Sequence, residues 1–241
     1  MNPRTLFVAD LHLSSERPET ARAFLDFLST AASQAEALYI LGDMFEAWAG
    51  DDDRDAPFHR EIAQALADLA AGGVAVYLMH GNRDFLMGQE WARACAARLL
   101  PGPVLVDLYG KPTLLMHGDE LCTDDTAYFA FRDKVRDPAW QAAFLAQPLA
   151  ARKAAIQGWL NESSQEKRQK TATVMDANPQ TLAEALRAHG YPRLIHGHTH
   201  RPARHLHRVD GRECERWVLP AWYGRGGYLA CDEHGCQAVN F

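Results

Sequence analysis

The sequence lacks a long hydrophobic run. A helix that crosses a bilayer needs about twenty consecutive apolar residues, and no segment approaches that length. The short apolar run near the N-terminus is interrupted by Asp10 and His12, so the hydrophobic region of a signal peptide is also missing. We therefore expect the protein to stay in the compartment where it is made, or to rest on a membrane surface there.

Closely spaced cysteine pairs are also lacking. The five cysteines are scattered and odd in number, which argues against a thiolate zinc site. We expect reduced thiols, as in most cytosolic proteins. The five are Cys95, Cys122, Cys214, Cys231 and Cys236.

An excess of positive charge is lacking as well. Twenty-five Lys and Arg residues face 31 Asp and Glu residues, and the formal net charge of -6 argues against broad nucleic-acid binding. Hydrophobic residues make up 47% of the chain and charged residues 23%, as is usual for a soluble globular protein. No repeat, low-complexity tract or Gly/Ser linker marks a domain boundary, so we predict one domain over residues 1–241, with an insertion.

Short apolar runs that end in polar residues recur along the chain, and each predicts a buried strand. Helical patterns lie between the early runs, and this alternation indicates an α/β fold. After residue 200 the pattern changes to strands separated by turns at Asp210-Gly211, Gly226-Gly227 and His234-Gly235, which predicts a second, antiparallel sheet. The predicted strands are 5–9, 37–41, 74–79, 112–116 and 193–195, and the predicted helices are 18–32 and 58–71.

The segment from residue 125 to residue 170 has a different pattern. It shows helical patterns and no convincing strand, is rich in alanine, and carries more aromatic and aliphatic side chains than a simple connection needs. Packing of an ordinary helical core would also explain those side chains. We interpret the segment as a helical lid inserted between two strands of the sheets.

Five motifs with metal-binding side chains follow predicted strands. In α/β folds, ligands bind beyond the carboxyl ends of the strands, and glycine beside a polar residue lets the backbone turn there and approach an ion closely. The mixture of imidazole, carboxylate and amide suits Mn, Fe or Zn ions. Two such ions, roughly 3.5–4 Å apart, are suited to displacement at phosphorus. The motifs are Asp10-Leu11-His12, Gly42-Asp43, Gly81-Asn82-Arg83-Asp84, His117-Gly118-Asp119 and His196-Gly197-His198-Thr199-His200.

The order of these motifs resembles that of the calcineurin-like metallophosphoesterases, over residues 10 to 200. The resemblance implies a four-layer α-β-β-α sandwich and two metal sites that share a bridging Asp43. It departs from the commonest family form at Arg83, where a catalytic histidine is usual. The implied ligands of one metal are Asp10, His12, Asp43 and His200, and those of the other are Asp43, Asn82, His117 and His198.

Longer segments, including Phe45-Glu46-Ala47-Trp48 and Leu121-Cys122-Thr123-Asp124-Asp125, resemble the UDP-2,3-diacylglucosamine pyrophosphohydrolases of lipid A synthesis. That subgroup uses two Mn²⁺ ions and water to attack the α-phosphorus, releasing UMP and 2,3-diacylglucosamine 1-phosphate. The resemblance implies that Asn82, Arg83 and His198 act in catalysis. The implied substrate contacts are Asn82, Arg83, Asp125, Ser163, Lys167, Lys170 and His198, of which Lys167 stands where relatives can carry Asn.

The partners that the resemblance implies are a lipid-linked UDP-sugar and the cytoplasmic face of the inner membrane, where the protein would be peripheral. We expect no obligate protein partner. A relative that acts on a soluble phosphodiester or nucleotide remains an alternative, although the apolar insertion and Arg83 argue against it. A non-catalytic scaffold is a second alternative, which the complete ligand set opposes.

Several polar residues near the motifs have plainer interpretations. We expect His80 and His196 to be satisfied near the core, and the acidic run 51–53 to form a solvated loop or helix start. Asp84 and Asp119 are predicted either to orient ligand histidines or to cap adjoining turns. His205 and His207 receive no function.

Overall fold

A computed structural model describes residues 4–167 and 176–241, which form two β-sheets packed face to face. The first sheet has the strand order β11-β10-β1-β2-β3-β4, with a parallel centre from β1 to β4. Its strands are β1 (Thr5–Val8), β2 (Ala37–Leu41), β3 (Ala75–Met79), β4 (Arg98–Leu100), β10 (Gly227–Asp232) and β11 (Gly235–Asn240). The helices that follow β1, β2 and β3 are α1 (Pro18–Ser29), α2 (Pro57–Ala71) and α3 (Gln89–Ala94).

Side chains of the first sheet alternate between its two faces. On β1, Leu6 and Val8 join the core cluster that contains the apolar faces of α1 and α2, whereas Phe7 joins the cluster between the sheets. Both faces are covered, so these strands are apolar throughout and easily recognised in the sequence. Proline begins both α1 and α2, where its missing N–H costs no hydrogen bond.

The second sheet has the order β5-β6-β7-β9-β8, and α7 (Pro179–Ala188) covers its outer face. Leu182 and Leu186 of this helix pack with Leu114 and Leu194 of the sheet. The layers are therefore α-β-β-α, which confirms the predicted sandwich. The strands are β5 (Val104–Leu108), β6 (Lys111–Leu115), β7 (Arg193–His196), β8 (Ala203–Val209) and β9 (Arg212–Val218).

The C-terminal strands do not form a sheet of their own, and that prediction was wrong. The hairpin β8-β9 joins the second sheet through parallel pairing of β9 with β7, while β10-β11 joins the first through antiparallel pairing of β10 with β1. The turn signals mark the hairpins, but they carry no information about which sheet each hairpin joins. Strands β4 and β5 were not predicted, because they are short and partly exposed.

The expectation that all cysteines are reduced was also wrong. Cys231 and Cys236 form a disulfide, with a Cα–Cα distance of 4.1 Å. They are directly opposed partners on β10 and β11, a pairing that only the strand register reveals. Cys95, Cys122 and Cys214 are free and buried.

In the described residues between β6 and α7, three consecutive α-helices occur: α4 (Thr126–Arg136), α5 (Pro138–Leu145) and α6 (Leu149–Lys167). Asp125 and Asp137 cap α4 and α5 by accepting hydrogen bonds from backbone N–H groups. The helices fall inside the predicted insertion 125–170, whose boundaries stay a prediction. No helix in the described part of the chain is long and apolar enough to cross a membrane.

The acidic run 51–53 forms a short 3₁₀ helix, which agrees with the predicted helix start and not with the alternative of a solvated loop. It connects the first sheet to α6. Asp52 pairs with Arg152, which is only 2% exposed, and Asp53 pairs with Lys153. Asp51 accepts hydrogen bonds from Trp48 Nε1 and from two backbone N–H groups of residues 88 and 91. The run therefore anchors the helical segment to the sandwich.

Candidate metal centre

The loops after the strands carry the predicted ligands in an unusual backbone conformation. Five of the seven have a positive φ, which side chains other than glycine rarely adopt because of steric clash. Such strained residues cluster at functional sites, where the surrounding fold holds them in place. The five φ angles are 53° at Asp10, 47° at His12, 52° at Asp43, 65° at His198 and 54° at His200.

Asp10, His12 and His200 form the first ligand group. His12 Nε2 and His200 Nε2 lie 3.3 Å apart, and Asp10 Oδ1 lies 3.3 Å from His200 Nε2. Asp10 is fully buried, and its Oδ2 accepts a hydrogen bond of 2.8 Å from the backbone N–H of His198. Two imidazole nitrogens that converge beside a buried carboxylate fit a shared cation.

The second group surrounds Asn82. Its Oδ1 lies 3.1 Å from His117 Nε2 and 2.9 Å from His198 Nδ1. Asp43 lies between the two groups, with Oδ2 3.9 Å from His12 Nε2 and Oδ1 3.7 Å from His117 Nε2. Each carboxylate oxygen of Asp43 thus approaches a different group, which fits the bridging ligand of a two-metal site.

The protonation states also fit a cation site. Burial raises the pKa of Asp43 to about 7, an effect that the charge of His117 opposes. Burial would lower the pKa of His117, but the carboxylates of Asp43, Asp10 and Asp119 raise it to about 9. Burial would likewise raise the pKa of Asp10, yet hydrogen bonding to His200 and the nearby imidazoles hold it well below its usual range. Without a metal, the centre therefore retains protons at neutral pH that a metal must displace.

Glycines beside the ligands let the loops approach one another. A Cβ atom at Gly81 would collide with the side chain and backbone of Asp43, and one at Gly197 would collide with Asp10 and Ala9. Asp84 then fastens two of the loops, because its carboxylate accepts hydrogen bonds of 2.7 Å from the backbone N–H groups of Gly81 and Met44. Of its two predicted roles, Asp84 takes that of fixing the backbone turns.

Three histidines at or near the centre each direct one ring nitrogen toward a backbone carbonyl. His117 Nδ1 lies 2.9 Å from the carbonyl of Leu41, an arrangement that leaves Nε2 facing Asn82. His80 Nε2 lies 2.6 Å from the carbonyl of Met87, and His80 belongs to neither ligand group, as expected. His196 Nδ1 lies 2.8 Å from the carbonyl of Gly197, and burial lowers the pKa of this ring to about 3.

Asp119 connects the second sheet to α4. Its Oδ2 accepts hydrogen bonds from the hydroxyl of Tyr128 at 2.8 Å and from Arg132 Nε at 2.7 Å. The ring of Tyr128 lies against His198, with ring centroids 5.9 Å apart. Asp119 therefore positions the helical segment over His198, a predicted ligand, rather than bonding to its ring.

A cavity of about 670 Å³ opens from the metal centre and runs beneath the helical segment. Asn82, Arg83 and His198 line its polar end, while Asp125 and Ser163 lie further along its wall. Lys167 lies at the described end of α6, and Lys170 lies outside the described residues. The apolar end is lined by Phe85, Phe131, Trp140, Ile156, Trp159 and Leu160.

Two residues at the centre were missed by the sequence analysis. Glu46 lies 3.5 Å from His12 Nδ1 and 3.5 Å from Arg83 Nη1, and Arg17 also pairs with it. The hydroxyl of Tyr223 lies 3.3 Å from His200 Nδ1. Glu46 stands in a segment that carries the family resemblance and was open to detection, whereas Tyr223 lies in the connection between β9 and β10 without any motif.

Comparisons with known proteins agree with this geometry. Residues 3–202 match the family model described as calcineurin-like phosphoesterase. The chain is 53% identical to the UDP-2,3-diacylglucosamine hydrolase of Aromatoleum aromaticum, over 95% of this chain and 94% of that protein. It is 48% identical to the proteins of the same name from Cellvibrio japonicus and Pseudomonas aeruginosa, in each case over 98% of both chains.

Proposed function

Because this chain belongs to the calcineurin-like phosphoesterases and, among them, to the UDP-2,3-diacylglucosamine hydrolase family, we propose that it hydrolyses the pyrophosphate bond of UDP-2,3-diacylglucosamine. Water attacks the α-phosphorus, and the products are UMP and 2,3-diacylglucosamine 1-phosphate. The reaction belongs to the synthesis of lipid A.

The observation that carries this proposal is the continuity of one cavity. Arg83 and the ligands Asn82 and His198 line one end, and aromatic side chains of α4, α5 and α6 line the other. A pyrophosphate requires the first environment, while acyl chains leave water for the second. A small soluble nucleotide would have no use for the apolar end.

Two Mn²⁺ ions are the proposed cofactors, held by the seven side chains of the two ligand groups. When bound, such a pair lowers the pKa of a water molecule and neutralises charge on phosphate oxygens. The donor set of imidazole, carboxylate and amide oxygen suits Mn, Fe or Zn, and the resemblance to the Mn²⁺-dependent subgroup favours manganese among them. Asp43 is the proposed bridge.

The chain's own side chains position the pyrophosphate. Arg83 has its guanidinium at the polar end of the cavity, where its planar fork binds two phosphate oxygens at once. Glu46, 3.5 Å from that guanidinium, holds it in place before substrate arrives. Asn82 and His198 border the same space, and their polar atoms stabilise the negative charge that develops on the oxygens.

The proposed place of action is the cytoplasmic surface of the inner membrane, because the two acyl chains of the substrate reside in a bilayer. Leu145, at the end of α5, is a large apolar side chain with 40% exposure and belongs to the helical segment that covers the cavity. The segment that covers the cavity thus carries an exposed apolar side chain. The protein would bind the membrane peripherally.

The test is hydrolysis of UDP-2,3-diacylglucosamine by metal-stripped protein, with and without added Mn²⁺. The release of UMP is measured. The matched control is UDP-N-acetylglucosamine, which retains the pyrophosphate and lacks the long acyl chains. We expect Mn²⁺-dependent UMP release from the lipid and far slower release from the control. Equal rates would refute the lipid assignment, and turnover of a soluble phosphodiester alone would favour the alternative phosphodiesterase.

A further inference from the structure

A second, smaller cavity lies on the outer face of the second sheet. It has a volume of about 220 Å³ and is bordered by the segment that follows ligand His198. Thr199 and Arg201 line this cavity and also the larger one, so a thin wall separates the two. The remaining lining residues that matter here are Asp176, Ala203, His205 and Arg216.

Arg216 is the unusual member of this set. It lies on β9, which pairs with β7 on one side and with β8 on the other, and it is only 6% exposed. Among the described residues, neither its Nε nor its Nη1 has a hydrogen-bond partner. A buried guanidinium keeps its positive charge and five N–H donors, so burial without acceptors is costly. An acceptor from outside the chain would remove this cost.

The neighbouring groups compensate this positive charge only in part, because Asp176 supplies the single carboxylate among the described residues that line the cavity. Asp176 is committed to Arg201, with a distance of 2.6 Å between Oδ2 and Nη1. Two guanidinium groups therefore face a single carboxylate around the cavity. The buried hydroxyl of Thr199 has no hydrogen-bond partner among the described residues either and provides another polar contact. The environment is that of an anion site with a planar fork on one side.

We propose that this cavity binds an oxyanion of the phosphate class, with Arg216 as its principal ligand and Thr199 and Arg201 as further contacts. The site is separate from the metal centre, and the proposal holds whatever the substrate of that centre is. Free phosphate and the phosphate of a nucleotide monophosphate share the required chemistry.

The first test is calorimetric titration of the metal-loaded protein with inorganic phosphate. Phosphate that binds at the metal centre contributes the same heat in wild type and variant. A difference between the two titrations therefore reports on phosphate binding in the second cavity. We expect Arg216→Gln to weaken phosphate binding at one class of sites at least about tenfold, through loss of a charge-assisted fork. Arg208→Gln, an exposed position on β8, is the matched control and should bind as the wild type does. Identical titrations of all three proteins would overturn the proposal.

A second variant covers the possibility that loss of Arg216 disturbs folding. Ala203→Glu places a carboxylate at the border of the cavity, where it can pair with Arg216. We expect a higher melting temperature in phosphate-free buffer and loss of the phosphate-dependent increase in melting temperature. An undiminished increase would contradict the proposal.

The source of the anion is identified by repeating the titration with UMP. If Arg216→Gln abolishes the binding heat of inorganic phosphate but not that of UMP, the ligand of the cavity is free phosphate. A response that it abolishes for both identifies a nucleotide phosphate. Selenate soaked into crystals should give an anomalous peak beside Arg216, and a peak at the metal centre alone would overturn the assignment.

Discussion

The two ends of the large cavity are built in opposite ways. The polar end collects side chains from loops of both sheets, several with positive φ and buried charges. The apolar end comes largely from one continuous stretch of helices, α4 to α6, whose aromatic rings are partly exposed. The function of the polar end depends on the positions that the whole fold gives to its side chains, whereas the apolar end needs only sufficient volume and apolar surface. Substitutions at the two ends should therefore differ in severity and in kind.

The largest loss of activity is expected from substitution of Asp43, the proposed bridging ligand at the polar end. Asp43→Ala removes the carboxylate that lies between both ligand groups, so bound Mn²⁺ and UMP release should both fall. We expect activity to drop by far more than about 100-fold, because even residues that only support metal ligands cost 10- to 100-fold. Metal analysis and turnover measure this, with exposed Asp133→Ala as control. Full activity in Asp43→Ala would refute the site.

Arg83→Ala should separate binding of phosphate from binding of metal. Activity is expected to fall on the order of 10²- to 10³-fold, the typical cost of losing one group that stabilises the developing charge. Metal content should remain as in the wild type, and Arg83→Lys should not restore activity, because lysine lacks the fork. Exposed Arg93→Ala is the control. A parallel loss of metal would show that Arg83 acts as part of the metal centre.

Trp159→Ala should weaken the apolar end alone. Its ring packs on Phe131, Trp140 and Phe144, with centroids 5.2 to 5.9 Å apart. We expect kcat/KM for the diacylated substrate to fall roughly 10- to 100-fold, from loss of about 1.5–3 kcal/mol of apolar burial. Turnover of bis(p-nitrophenyl) phosphate should stay unchanged. An equal loss of activity toward both substrates would contradict the assignment of acyl-chain binding to the apolar end alone.

Metal binding at the polar end should depend on pH. The pKa of Asp43 is raised to about 7 and that of His117 to about 9, so protons must leave both groups before a metal binds. Mn²⁺ affinity should therefore fall as pH decreases through this range, by about tenfold per pH unit for each proton displaced. Calorimetry in buffers of different ionisation enthalpy measures the release. Absence of proton release at pH 7 would refute these protonation states.

The smallest effect is expected where the apolar end is fastened to the sandwich. Asp52→Asn weakens the pairing with buried Arg152, and we expect a loss of about 1 kcal/mol or less because Asp52 is exposed. Hydrogen bonding to Arg152 lowers the pKa of Asp52 from its usual 3.8. The carboxylate therefore stabilises the fold above about pH 4, and this contribution is lost as pH falls through the lowered pKa. Melting temperatures of both proteins should converge below pH 4, and a constant difference would contradict the ion pair.

The acidic run and the C-terminal strands show where local sequence is insufficient. Consecutive aspartates are typical of a solvated loop, yet Asp52 and Asp53 pair with Arg152 and Lys153, a hundred residues away, and anchor α6 to the sandwich. The turns after residue 200 indicate hairpins, yet the pairing of β10 with β1 depends on the other end of the chain. In both cases the deciding contact is remote in sequence.

The sequence by itself determined the buried strands, the α/β layering and the ligand types, because strand periodicity and strand-end motifs are local properties of short segments. The four-layer sandwich followed from the family resemblance of those motifs. Only the tertiary structure decided that Glu46 and Tyr223 join the metal centre, that Asp84 fixes backbone turns, and that Cys231 meets Cys236. It also decided that Arg216 is buried without a partner among the described residues. These features depend on distances between segments far apart in the chain, which are set by packing and register.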